Sequence, residues 1–305
     1  MDIINTIVPI FSVIFIGWFA HRKHFFPRSF LEPANRIVFY IAIPAMIFRA
    51  VSNTSFSRNF NPDLLAVALI SLTLIYLLSW AGGVFLNLKK GSLGSFVQSS
   101  SHCNIGYIAF AVAFYYLGQE GLAATGLFAG FIMILQNLYS VTALTAARKD
   151  GFGNGEIFRM AKQVVLNPII LSAALGIVFS AAEIPLPVFA SRALDILGGM
   201  GLPTALLIIG ASLSPEKIRT GFWVVAASCF IKLVLLPAIS LGLFAFWGIS
   251  GEERLPILII LASPTATVAY VMAGEMGGDA NLAAAVISLC TILSSITFLF
   301  WLNMV

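Results

Sequence analysis

At 305 residues, 59% hydrophobic and only 10% charged, with a mean hydropathy of +0.97, the chain is excluded from the soluble globular class, whose members carry roughly 25% charged residues. A spanning helix takes about 20 mostly apolar residues, so the length accommodates about ten spans with short connections and no sizeable soluble domain. The net charge of +4 does not point to nucleic acid, because the basic residues fall in short connections where membrane topology explains them.

The first apolar stretch, Ile3 to Ala20, has no basic residue before it and runs into His21-Arg22-Lys23-His24. A signal peptide has the reverse order, so this segment reads as a retained first helix over 4–20. Further helices are expected at 34–52, 63–88, 93–117, 121–147, 162–182, 188–212, 221–247, 254–275 and 280–303. Twelve Lys and Arg lie in the connections after helices one, three, five and seven, from Arg22 to Arg219, and four (Arg49, Arg58, Arg192, Arg254) lie in those on the other side. The positive-inside bias then places the odd-numbered connections in the cytoplasm and both termini outside, in a multi-pass protein of the cytoplasmic membrane. The connection 148–161, with Gly151, Gly153 and Gly155, reads as a flexible cytoplasmic linker. Cys103, Cys229 and Cys290 lie in apolar segments without metal spacing and read as core packing; no metal or other cofactor is expected.

The chain also matches itself. Pro9 and Pro168, Gly17 and Gly176, Pro44 and Pro203, Ser55 and Ser214, and Gly83 and Gly242 all stand 159 residues apart. Gly118 and Gly278 stand 160 apart, as do Leu122-Ala123-Ala124 and Leu282-Ala283-Ala284. The expected organisation is therefore a first five-helix repeat over 1–147, the linker, and a second repeat over 162–305. An odd number of spans inverts the second copy, an architecture of secondary transporters with the substrate site at the repeat interface.

The fourth and ninth segments stand apart. The fourth contains Gln98-Ser99-Ser100-Ser101-His102-Cys103-Asn104-Ile105-Gly106, and the ninth contains Ala262-Ser263-Pro264-Thr265-Ala266-Thr267. Asn104 corresponds to Pro264 at the offset of 160, so the most polar part of one repeat falls opposite the Pro-broken part of the other. Matching interrupted helices are the sequence pointer to a transport site, and a half-helix that starts after a break offers N–H groups and a positive dipole end suited to an anion.

At these residues the chain resembles the auxin efflux carrier family, whose bacterial members are organic-anion permeases. The resemblance covers essentially the whole chain and implies an all-α integral membrane fold of about ten helices with discontinuous, crossing helices 4 and 9. Asn104 matches the family's Asn in helix 4, while Ala109 and Ala111 stand where a Gly and a Pro are expected. Ala262-Ser263-Pro264 matches the opening of helix 9, Gly277-Gly278-Asp279 matches the turn into the last helix, and Ala269 replaces a further Pro of plant members. Gly106, Ala109, Pro264 and Ala269 then shape the crossover. The resemblance implies transport of carboxylates such as malate, malonate or auxin-like anions, and assigns the Pro44 and Pro203 helices to a scaffold or a homodimer surface.

Several side chains have more than one reading. Asn104 can offer donors to a carboxylate or cap the broken helix. Ser263 and Thr265 can bond substrate or only backbone. Asn137, with Gln136 and Tyr139, can line the cavity or glue helices. Lys232, deep in the eighth segment, can neutralise the negative ends of the crossing helices, change protonation during transport, or snorkel. His102 is a candidate for proton coupling or a packing residue. Every Asp and Glu is expected at or near a helix end, which weighs against the alternative of a cation/proton or sodium-coupled transporter of the same fold. No H-E-x-x-H motif, paired membrane carboxylates or P-loop occurs, so neither an enzyme nor ATP drive is expected. A passive channel or sensor remains the other alternative.

Overall fold

An unpaired backbone group in the bilayer core costs on the order of several kcal/mol, so a chain this apolar must pair its amides locally, and helices do so. The computed structural model describes residues 3–54, 60–146, 162, 165–219 and 221–305, and apart from one isolated β-bridge its regular structure is helical. Among the described residues, seven helices are long and apolar enough to cross a membrane, as an integral membrane protein requires. Ser55 and the expected linker 148–161 lie outside the described residues.

In chain order the helices are α1 (Ile3–Arg22), α2 (Arg28–Ile37), α3 (Ile43–Ser52), α4 (Pro62–Phe85), α5 (Lys90–Ser101), α6 (Phe110–Ala146), α7 (Pro168–Ala181), α8 (Val188–Gly199), α9 (Gly201–Ser212), α10 (Phe222–Phe230), α11 (Leu236–Phe246), α12 (Leu255–Ala262), α13 (Val268–Glu275) and α14 (Ala280–Leu302). The second expected helix begins earlier than 34, because extended Pro27 sets the N-cap. The sixth begins at Pro168, where the Asn167 side chain accepts from the amides of Ile169 and Ile170. Between the fourth and fifth expected helices, Gly118 has φ 72° and ψ −162°. A side chain is strained in that region, which is why the break falls at a glycine.

Prolines shape two further spans. π-helical turns over Val38–Ala42 and Ile231–Leu235 lead into α3 and α11, each just ahead of a proline, Pro44 or Pro237, that cannot donate to the preceding turn. The carbonyl of Leu233, four residues before Pro237, accepts instead from the indole N–H of Trp301 at 2.8 Å. A third π turn, Ile105–Ala109, opens α6 with Ala111 at the equivalent spacing, so here the turn forms without proline.

The chain groups into two compact units. The first comprises Met1–Pro62, Ile105–Phe131 and Val165–Ser212. Within it α1 packs on α9 so closely that a Cβ on Gly17 would lie 2.2 Å from the carbonyl oxygen of Leu207, and one on Gly210 would lie 1.9 Å from that of Ile14. Only backbone-to-backbone contact of small residues allows this approach. The hydroxyl of Tyr107 donates to Oδ1 of Asn35 at 2.6 Å in the same unit. Asp195, expected near a helix end, instead lies within α8, with Arg49 of α3 at 3.2 Å. The ion pair gives this carboxylate a partner inside an apolar span.

The second unit comprises Asp63–Asn104, Ile132–Val164 and Leu213–Val305. The side chain of Asp279 caps α14 by accepting from the Leu282 amide at 3.0 Å and also accepts from the Ser92 hydroxyl at 2.9 Å. Tyr76 of α4 and Tyr139 of α6 stack with centroids 4.2 Å apart, and the Tyr139 hydroxyl bonds that of Thr73 at 2.7 Å. Tyr139 is thus helix glue.

Gly210→Ala is expected to destabilise the fold by about 1–3 kcal/mol, because the added methyl meets a backbone carbonyl that cannot step aside. Gly242→Ala, where nothing lies within 4 Å of the added carbon, should be neutral or mildly stabilising. Thermal unfolding of both variants in one detergent tests the contrast; equal melting temperatures would refute it.

Candidate functional site

The two interrupted segments meet backbone to backbone inside the second unit. On one side α12 stops because Pro264 has no N–H for Ile260 and disfavours helical geometry at Ser263, which is extended at φ −65° and ψ 149°. The amide and hydroxyl of Ser263 both donate to the Ile260 carbonyl, at 3.2 and 2.7 Å. On the other side α5 ends at Ser101 with no proline or glycine at the break, and His102 is extended at φ −88° and ψ 105°. Tertiary pairing holds this second break open. Cys103 and Thr265 form an antiparallel bridge: the Asn104 amide donates to the Pro264 carbonyl at 2.9 Å, and the Ala266 amide donates to the His102 carbonyl at 3.0 Å.

The outer edge of this two-strand crossing is closed by a side chain. Gln136 of α6 accepts from the Cys103 amide at 3.1 Å and donates to the Cys103 carbonyl at 3.3 Å, as a neighbouring strand would. One helical turn on, the Ser140 hydroxyl lies 2.6 Å from Nδ1 of His102 and donates to the Gln136 carbonyl at 2.8 Å.

The carbonyl ends of both incoming half-helices are also occupied. The Thr265 hydroxyl donates to the Ser99 carbonyl at 2.6 Å. Lys232, with no exposed surface, donates from Nζ to the Leu261 carbonyl at 2.9 Å. A cation is favoured at a helix C-terminus, where the dipole is negative. Among the described residues, the fully buried polar side chains include Lys232 and His102 and no Asp or Glu. Among the described residues, three buried polar atoms on or just beyond the end of α5 have no hydrogen-bond partner: Oε1 of Gln98, Oγ of Ser99 and Nδ2 of Asn104, the last on a residue only 4% exposed. Asn104 immediately precedes the helical stretch that starts at Ile105.

The structure therefore brings Asn104, Ser263, Pro264, Thr265, Lys232 and His102 into one backbone-centred cluster, although Ser263 and Thr265 donate to carbonyls and Lys232 caps a helix. Asn137 is half-buried and takes no part in these bonds. Ala109 and Ala269 are fully buried, and Gly106 is half-buried. Sequence reasoning left Gln136 between two roles and passed over Ser140. Their spacing of four on an otherwise apolar helix was the available signal.

A family model described as Membrane transport protein matches residues 2–149 and 156–302. Over 304 residues the chain is 25% identical to an uncharacterized transporter of Methanocaldococcus jannaschii, covering 97% of both proteins. It is 26% identical over 312 residues to a Rhizobium meliloti protein named "Putative malonate transporter", covering 97% of this chain and 93% of that one. The uncharacterized transporter YfdV of Escherichia coli K12 is 21% identical over 298 residues, covering 93% of each. These relatives are transporters, not enzymes.

Thr265→Val keeps the side-chain shape and removes the donor to Ser99, leaving a buried carbonyl short of a partner. The expected cost is about 1–3 kcal/mol. Thr265→Ser keeps the hydroxyl and should melt close to the parent, so equal melting temperatures for Val and Ser would show that the bond contributes nothing.

Proposed function

The chain belongs to the membrane transport protein family, and we propose that it moves small organic dicarboxylates of the malonate and malate kind across the cytoplasmic membrane by alternating access. The observation that carries this reading is the unpartnered, buried donor of Asn104 at the start of a half-helix. An amide N–H₂ held out of water without an acceptor is costly, and a carboxylate oxygen is a suitable acceptor. The sign of the surroundings supports an anion. The negative ends of α5 and α12 are covered by Thr265 and Lys232, while the half-helices that begin at Ile105 and Val268 leave the crossover with positive ends. The lack of a fully buried carboxylate among the described residues weighs against a cation carrier. The malonate in the Rhizobium meliloti protein's name agrees with the same substrate class.

The proposed architecture is two inverted five-helix repeats, 1–147 and 162–305, with both termini outside. Contacts within the first unit support it. Gly17 faces the Leu207 carbonyl, and Gly176 faces the Phe48 carbonyl, with 3.3 Å to an added Cβ; both pairs of counterparts differ by 159. In this scheme Asn104 contacts substrate, Ser263 and Thr265 shape the crossover, and Lys232 supports α12. His102 is the candidate for proton coupling.

Uptake of labelled malonate and malate into proteoliposomes, with and without a proton gradient, tests the function. Saturable uptake is expected, and linear flux would indicate a channel. Losing one hydrogen bond to a charged group costs about 1.5–3 kcal/mol, so Asn104→Ala should weaken the anion about 10- to 150-fold while remaining folded and monodisperse. Unchanged uptake in that variant removes Asn104 from the site.

A further inference from the structure

We propose that Gln136 and Ser140 are positioning residues for transport: from one face of α6 they hold the extended segment His102–Asn104 so that the Asn104 carboxamide stays aimed at the anion. The inference rests on the transport reading above and adds a second side-chain layer behind its contact residue.

Three residues, His102 to Asn104, carry the break in this half of the crossover, and no proline or glycine enforces it. The bridge to Thr265 satisfies the His102 carbonyl and the Asn104 amide. It leaves the amide and carbonyl of Cys103 pointing the other way, because successive residues of an extended chain alternate. Both groups are taken by the single carboxamide of Gln136. Pro264 has no N–H to give back to Asn104, so the bridge alone is a weak constraint on Asn104, and the Gln136 clamp on the preceding residue is the larger one.

Ser140 extends the clamp to His102. A serine hydroxyl has one proton. The Ser140 hydroxyl lies 2.8 Å from the Gln136 carbonyl and 2.6 Å from Nδ1 of His102, so it bonds the ring as acceptor or as donor according to the ring's tautomer. In sequence order, α6 therefore grips the ring of His102 and the backbone of Cys103, and Asn104 follows directly.

The test uses full-length protein in detergent and in proteoliposomes. Gln136→Met keeps the side-chain length and removes both bonds. We expect faster deuterium exchange at the Cys103 amide, at least about tenfold weaker malonate binding, and a maximal uptake rate changed much less than the binding. A purely structural role would lower the melting temperature without this split. Ser140→Ala should leave Cys103 protected and change the ¹⁵N signature of the His102 ring, which loses its Nδ1 partner; it also serves if Gln136→Met does not fold. Malonate binding and Cys103 exchange both unchanged in Gln136→Met would overturn the proposal. So would an unchanged ring signature in Ser140→Ala together with unchanged binding. Should the parent protein bind no dicarboxylate, the transport reading fails separately, and the exchange measurement alone decides the clamp: faster exchange keeps it, equal exchange ends it.

Discussion

Two helices that stop partway through a span must find partners for their freed amides and carbonyls without help from water, and the rest of the second unit follows from how that is done. The two breaks pair with each other through the His102–Asn104 and Pro264–Ala266 segments. What the pairing cannot reach is completed by side chains from neighbouring helices: Gln136 from α6, Lys232 from the π turn before α11, and Thr265 from the crossing itself. Carbonyls are the groups most thoroughly covered. The unpartnered Asn104 amide and the positive ends of the outgoing half-helices are the features on which the proposed preference for anions rests.

Much of this plan could be read from the sequence, for identifiable reasons. Apolar runs located the spans, and Gly118 and Pro264 located two interruptions, because a left-handed φ and a missing N–H are properties of one residue. The break at His102 was visible only as a cluster of Ser, His and Asn, since its cause is pairing with a segment more than 150 positions away. The partners of these groups were out of reach for the same reason. Gln136 and Trp301 look like ordinary residues of apolar helices until the carbonyls of Cys103 and Leu233 are beside them. Asp195 was misplaced because an acidic residue in an apolar run reads as a boundary unless its arginine is known.

The two halves of the proposed repeat meet the same demand differently. At the offset of 160, Gln136 corresponds to Ile296, a residue 65% exposed, and at 159 Lys232 corresponds to Thr73. One break is therefore held by a neutral amide on its edge and the other by a cation on its helix end. A single charge on one side of a pseudo-symmetric centre gives the two directions of approach different electrostatics, so a carrier with this crossover need not treat inward and outward states alike.

The extended segments also constrain how such a chain can change in length. Helical spans tolerate a residue more or less at their ends, where fraying and snorkelling absorb it. The three residues from His102 to Asn104 have no such latitude. Adding or removing one between the Thr265 bridge and Ile105 would turn Asn104 to the opposite side of its strand, as any single-residue slip does, and would carry its carboxamide away from the proposed substrate site with every helix still in place. Insertions and deletions in this fold should therefore accumulate in the loops and helix ends, with the crossover kept at fixed count as its ruler.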